Sequence, residues 1–96
     1  MPRAIWNKQV IAEAPAGEIQ RIEGNVYFPP FSVKREFLRP SRTHTHCAWK
    51  GIASYYNLEV DGNTNVNAAW YYPEPLEKAT HIKDYIAFWH GVQVED

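Results

Sequence analysis

The sequence predicts a single all-β domain that is rich in aromatic side chains. Short runs of β-branched, aromatic and aliphatic residues alternate with turn residues, which is the pattern of short strands. The length of 96 residues is close to the usual size of one domain, and no linker, repeat or low-complexity tract divides the chain. Four Trp, six Tyr and four Phe supply the large apolar side chains that a small core needs. We therefore expect residues 1–96 to form one domain.

The N-terminal part of the chain predicts a β meander. Val26–Phe28 alternates between the two faces of a strand, and Pro29-Pro30 ends that strand. Ser32–Arg39 has the composition of a capping box and predicts a short helical turn that ends at Pro40. The earlier strands and turns are, in chain order, Ala4–Trp6, Asn7-Lys8, Val10–Ala12, Ala14–Gly17, Ile19–Ile22 and Glu23–Asn25.

The C-terminal half predicts an antiparallel pair of strands followed by shorter elements. Ala53–Val60 and Val66–Tyr72 are strand-like, and Asp61-Gly62-Asn63 between them is a strong hairpin signal. Pro73–Pro75 then leaves the sheet. The remaining predicted elements are one or two helical turns with Leu76, Ala79 and Ile82 facing inward, a strand at Tyr85–Trp89, and a turn at His90-Gly91 towards Val92–Val94.

Charge and composition exclude several classes of protein. The formal charge of −1, with acidic and basic residues interspersed, offers no basic surface for a nucleic-acid backbone, so we expect no nucleic-acid partner. No apolar run has the length of a signal peptide or a membrane span, so we expect no membrane association and a cytoplasmic protein. Because Cys47 is the only cysteine, the chain forms neither an internal disulfide nor a four-cysteine zinc site.

Thr43–Tyr56 is the stretch with the densest set of chemically active side chains. If this stretch were one regular strand, His44 and His46 would share one face and Cys47 would lie on the other. Cys47 and Lys50 converge only if the two residues between them form a turn or bulge. Gly51 makes such a turn plausible, since glycine tolerates left-handed backbone conformations.

The first functional hypothesis is enzymatic, with Cys47 as a nucleophile and Lys50 or an imidazole favouring its thiolate form. The alternative is that Cys47 is a small buried apolar residue, as free cysteines usually are. The sequence contains no P-loop, no Gly-x-Ser-x-Gly and no Gly-x-Gly-x-x-Gly pattern that would support another enzymatic reading.

The second hypothesis is metal binding, because imidazole and thiolate are natural zinc and copper donors. Strand alternation separates the two candidate imidazoles from the thiol, and histidines in a Thr-rich segment are typical of a solvated loop. We therefore predict no metal site. The candidate donors are His44, His46 and Cys47, together with His81 or His90.

The third hypothesis is a pocket for a small polar or cationic ligand, since aromatic faces stack planar groups and attract cations. The expected aromatic walls are Tyr27, Trp49, Tyr55, Trp70 and Tyr72, and the expected polar contacts are Glu23, Asn25 and Lys50. The alternative is that most of these rings belong to the core. Trp70 and Tyr72 share one strand face, so they are the first pair expected in the pocket.

Long ordered motifs resemble the domain of unknown function 427 family over nearly the whole chain. They comprise Trp6, Glu23–Pro29, Leu38, Ser41, Thr43, Cys47–Tyr56, Ala68–Pro75 and Ile82–Phe88. The one departure is Ala48, where the family pattern usually has proline. The resemblance implies a β-tent, or Mss4-like, fold in which two antiparallel sheets meet over a groove.

For function, the resemblance implies little. Some proteins of this architecture bind zinc through paired Cys-x-x-Cys hairpins, which this chain lacks, while another uses an aromatic cage. The family's label suggests nucleotidyl transfer, yet the sequence has neither an acidic metal triad nor a glycine-rich phosphate loop. We expect a groove that binds a small molecule or a modified side chain, with Cys47 and Lys50 catalysis as the alternative. The sequence leaves the cofactor and the oligomeric state open.

Overall fold

The computed structural model describes residues 1–96 and consists of nine β-strands joined by turns and short 3₁₀ helices. The strands are β1 Arg3–Trp6, β2 Gln9–Glu13, β3 Gln20–Ile22, β4 Asn25–Tyr27, β5 Leu38–Cys47, β6 Gly51–Val60, β7 Asn63–Tyr71, β8 Ile86–Phe88 and β9 Gln93–Glu95. The 3₁₀ helices are Ala16–Glu18, Pro30–Ser32, Arg35–Phe37 and Glu77–Ile82. The predicted all-β class is confirmed. None of the helices is long and apolar enough to cross a lipid bilayer.

The largest sheet is antiparallel, with the strand order β5-β6-β7-β8. The hairpin β3-β4 extends it, because Phe28 and Ile86 exchange two backbone hydrogen bonds of 2.8 Å at the edge of β8. A separate three-stranded sheet has the order β2-β1-β9. The chain therefore has three sheets, and a single bridging pair joins the β3-β4 hairpin to the four-stranded sheet.

The β6-β7 hairpin forms where its sequence predicts it. Asp61 and Gly62 both have positive φ, 51° and 78°, as a two-residue turn between right-twisted strands requires. Val60 and Asn63 pair directly beside this turn. The hairpin carries the central strands of the four-stranded sheet and therefore sets the framework of the domain.

Two apolar clusters cover the two faces of the four-stranded sheet. Neighbouring residues on one strand belong to different clusters, for example Ala69 and Trp70 on β7. The main core lies between this sheet and the three-stranded sheet, and it includes Ala4, Ile11, Leu58 and Phe88. The smaller cluster, called here the aromatic cluster, consists of Tyr27, Ala53, Tyr55, Trp70, Tyr72, Ala79, Ile82 and Ala87.

Two local predictions are wrong. Leu76 does not face inward: it is 47% exposed, because it precedes the 3₁₀ helix whose Ala79 and Ile82 are buried. Pro40 does not end the preceding segment, since β5 already begins at Leu38 and continues through Pro40. The edge position of β5 in its sheet explains this, because a proline on an edge strand costs no hydrogen bond to a missing neighbour.

Candidate functional site

A cavity of about 220 Å³ opens beside the aromatic cluster. Strand alternation and pairing bring its walls together: Tyr55 on β6 lies opposite Trp70 on β7, and Asn25 and Tyr27 lie on one face of β4. The lining residues are Asn25, Tyr27, Lys50, Tyr55, Trp70, Tyr72 and Trp89. Residues from four strands or their flanks and from one turn therefore meet at a single site.

Lys50 supplies the positive charge of this site and is only 4% exposed. Its ammonium forms an ion pair with Glu23 and donates a hydrogen bond of 3.3 Å to the Tyr27 hydroxyl. The Nζ atom also lies 5.2, 5.7 and 5.9 Å from the ring centroids of Trp49, Tyr27 and Tyr72. Burial alone lowers the pKa of Lys50, but the Glu23 hydrogen bond and the two tyrosines raise it on balance. Lys50 is therefore charged at neutral pH.

Glu23 approaches Lys50 from the β3-β4 turn, where its own φ is 54°. Its side chain is 57% exposed and does not line the cavity. The hydrogen bond and the charge of Lys50 lower the pKa of Glu23. Glu23 is therefore an ionised, largely solvated partner at the outer side of a buried ammonium.

The hydroxyl groups of two tyrosines add hydrogen-bond donors to the cavity. The Tyr27 oxygen accepts hydrogen bonds from Lys50 and from the Trp70 indole, the latter at 3.2 Å, so its own proton remains available. Burial, followed by the neighbouring Tyr27, raises the pKa of Tyr72 to about 12. Both hydroxyl groups can thus present a proton to a molecule in the cavity.

Trp89 belongs to the cavity wall, although the sequence pattern did not predict it there. It is 44% exposed and meets Trp70 edge to face at 5.3 Å. Its indole N–H donates a 2.6 Å hydrogen bond to the carbonyl of Asn67, a residue with φ of 55°. The available signal was strand alternation, because Ala87 pairs with Trp70 and Trp89 lies two residues after Ala87. This signal can be used only when it is known which residues of β7 and β8 pair with each other.

The structure brings together most of the residues that the sequence predicts for a pocket. Asn25, Tyr27, Tyr55, Trp70 and Tyr72 line the cavity with Lys50. Glu23 contacts the cavity only through Lys50, and Trp49 is 36% exposed and flanks the ammonium without lining the cavity. A role for these side chains in ligand binding stays a prediction.

Cys47 lies near this site without joining it. The turn that the convergence of Cys47 and Lys50 requires does form, since Cys47 pairs with Gly51 across residues 48–50. Its side chain is partly buried against the aromatic cluster, but it does not line the cavity and makes no hydrogen bond to Lys50. Catalysis by Cys47 with Lys50 therefore stays a prediction without a supporting contact.

The histidines lie outside the aromatic site. His44 and His46 line a groove of about 460 Å³ on the other face of the sheet, where His44 Nδ1 lies 3.3 Å from Ser54 Oγ. His81 is exposed on the last 3₁₀ helix, and exposed His90 stacks on Trp89 at 4.2 Å. No group of three or more His, Cys, Asp or Glu side chains is close enough together to hold a metal ion.

Comparison with known proteins identifies the family. The family model described as a domain of unknown function (DUF427) matches residues 3–96, so the chain belongs to that family. No curated protein matches the chain significantly. Family membership supports the fold and the motifs, and the function has to be argued from the site.

Proposed function

We propose that this member of the DUF427 family is a binding protein, and that its aromatic cavity holds a small molecule or a modified side chain. The observation that carries this proposal is the convergence of seven lining residues from distant parts of the chain around one cavity. Five of the seven are aromatic, and the other two are an amide and a buried lysine. Apolar walls with a few directed polar groups are typical of small-ligand sites.

The size of the cavity limits the ligand. A volume of about 220 Å³ is below the roughly 300 Å³ at which sites for drug-sized ligands begin. Five of the seven lining side chains carry planar aromatic rings, which favours a ligand with a single ring or another small planar group. The ligand is therefore a small planar molecule, or one planar group of a larger molecule.

A thermal-shift screen of small planar compounds tests the proposal, followed by titration of each hit against two tryptophan variants. Trp89→Ala removes one wall of the cavity at a position that is 44% exposed, so we expect affinity to fall by about tenfold or more. Trp6→Ala is the control, because Trp6 packs against the main core and should leave affinity unchanged. Hits that bind Trp89→Ala as tightly as the wild type would contradict the proposal.

A further inference from the structure

We infer that the cavity selects a planar ligand bearing a carboxylate, and that Glu23 is the internal carboxylate this ligand displaces from Lys50. The inference rests on the proposed function, because it assigns a chemical class to the ligand of the same cavity. It differs from the expectation of a cationic ligand that the aromatic composition suggests.

The aromatic faces of the site already hold a cation. The Lys50 ammonium lies within 6 Å of three ring centroids, which is the range of a cation–π contact. No carboxylate lines the cavity to attract a second cation. A cationic ligand would therefore meet the like charge of Lys50 in a partly desolvated space, while Glu23, which pairs with that charge, does not line the cavity.

The polar groups of the lining are mostly donors. Glu23 and Tyr27 accept two of the three N–H bonds of Lys50, which leaves the third N–H without a protein acceptor. The Tyr27 hydroxyl accepts two hydrogen bonds, so its proton also needs an acceptor. A carboxylate has two oxygens with several acceptor positions and fits this arrangement of donors.

Glu23 is suited to exchange with such a ligand. Its side chain is more than half exposed, so it returns to water at little cost when its place on Lys50 is taken. The buried ammonium cannot follow it, because the Lys50 side chain is only 6% exposed. A ligand carboxylate that replaces Glu23 keeps the ammonium paired and adds contacts between its planar group and the aromatic side chains that line the cavity.

Three probes of similar size and different charge test the inference: benzoate, benzamide and benzylamine. Each is titrated into the full chain while tryptophan fluorescence is recorded. We expect benzoate to bind about tenfold more tightly than benzamide, as a charge-assisted hydrogen bond requires, and benzylamine to bind most weakly. Equal or tighter binding of benzylamine overturns the inference. Binding of benzamide without benzoate also overturns it but leaves the proposed function standing, whereas no binding of any probe counts against both.

Two variants of the ion pair show whether Glu23 competes with the ligand for Lys50 or orients Lys50 for binding. Lys50→Met keeps an unbranched side chain that is one atom shorter and removes its charge, so benzoate affinity should fall by about tenfold or more while benzamide affinity changes little. Glu23→Gln removes the competing charge, so benzoate affinity should rise by about two- to tenfold. If Glu23→Gln weakens benzoate binding, Glu23 orients Lys50 and does not compete, and the displacement is wrong. The wild-type probe series gives a result even if a variant does not fold.

Discussion

Burial of Lys50 has an unfavourable free energy, because a buried ammonium loses its hydration. The ion pair with Glu23 and the tyrosine hydroxyl beside it offset that loss. The lowered pKa of Glu23 makes the offset depend on pH. A carboxylate with a depressed pKa stabilises the fold above its unfolded value and loses this contribution as the pH falls through its folded value.

Glu23→Gln should therefore weaken the dependence of the free energy of unfolding on pH in the acidic range. The free energy of unfolding of the wild type falls as the pH drops below about 4.5, and the variant should lose less over the same range. Urea unfolding measured at a series of pH values gives both curves. Glu77→Gln, at an exposed carboxylate outside every ion pair, is the control and should follow the wild type. Parallel wild-type and Glu23→Gln curves would contradict the role of the pair.

Tyr72 should ionise only at strongly alkaline pH. Burial raises its pKa to about 12, so its neutral form is favoured in the folded state. A raised pKa stabilises the fold fully below the unfolded value of 10.0 and loses that contribution as the pH rises towards 12. In an alkaline titration of tyrosinate absorbance, Tyr72→Phe should remove the component near pH 12. Persistence of that component in the variant would assign it to another tyrosine.

At the scale of elements, the β5-β6 turn decides where Lys50 lies. Gly51 follows the turn with φ of 109°, and a Cβ atom there would lie 3.4 Å from the Glu74 oxygen and from the Leu76 nitrogen. The Leu76 N–H donates to the Lys50 carbonyl at 2.9 Å, which ties the turn to the segment after β7. Glycine suits position 51 for two reasons: the backbone there has a positive φ, and backbone atoms of residues 74 and 76 lie close by.

Gly51→Ala should destabilise the protein by about 1–3 kcal/mol, because a φ of 109° strains any residue with a side chain and the added Cβ would touch two backbone atoms at 3.4 Å. Gly62→Ala is the matched control for strain alone, since its φ is 78° and no atom lies within 4 Å of a Cβ built there. Gly17→Ala, with open space and no positive φ, should be nearly neutral. Urea unfolding gives the loss in free energy of unfolding for each variant. A loss for Gly51→Ala that is no larger than the loss for Gly62→Ala would contradict the extra cost expected at Gly51.

Local signals predicted the hairpins better than they predicted the ends of other elements. Asp61-Gly62 specifies its turn through its own backbone preferences, so the β6-β7 pair could be read from the sequence. Whether Pro40 ends a segment depends on the edge position of β5, which is a property of the whole sheet. The exposure of Leu76 likewise depends on where the chain leaves β7, which periodicity alone does not determine.

At the scale of the molecule, the four-stranded sheet is shared by two apolar clusters and couples their stability. Leu58 is fully buried in the main core, so Leu58→Ala should lower the free energy of unfolding by about 2–5 kcal/mol. Val66→Ala is the control, because Val66 is 60% exposed and should change stability by less than about 0.5 kcal/mol.

Near-ultraviolet circular dichroism, which reports aromatic packing, and far-ultraviolet circular dichroism should give the same urea midpoint. Separate midpoints would show that the aromatic cluster unfolds independently.

The site was partly predictable, because some of its residues follow from patterns within a single strand. Tyr55, Trp70 and Tyr72 could be assigned to one face from alternation within their own strands. The inclusion of Trp89 depends on how β8 pairs with β7, and the burial of Lys50 depends on the aromatic cluster that surrounds it. Such long-range pairings are not encoded in the pattern of any single segment.

The four tryptophan indoles provide the most direct test of the cavity as an anion-selective ligand site. In nuclear magnetic resonance spectra of the isotope-labelled full chain, titration with benzoate should shift the indole N–H signals of Trp70 and Trp89, which line the cavity, in a saturable way. The signal of Trp6, which packs against the main core, should stay in place. Saturable shifts at Trp6, or no saturable shift at Trp70 and Trp89, would contradict the assignment.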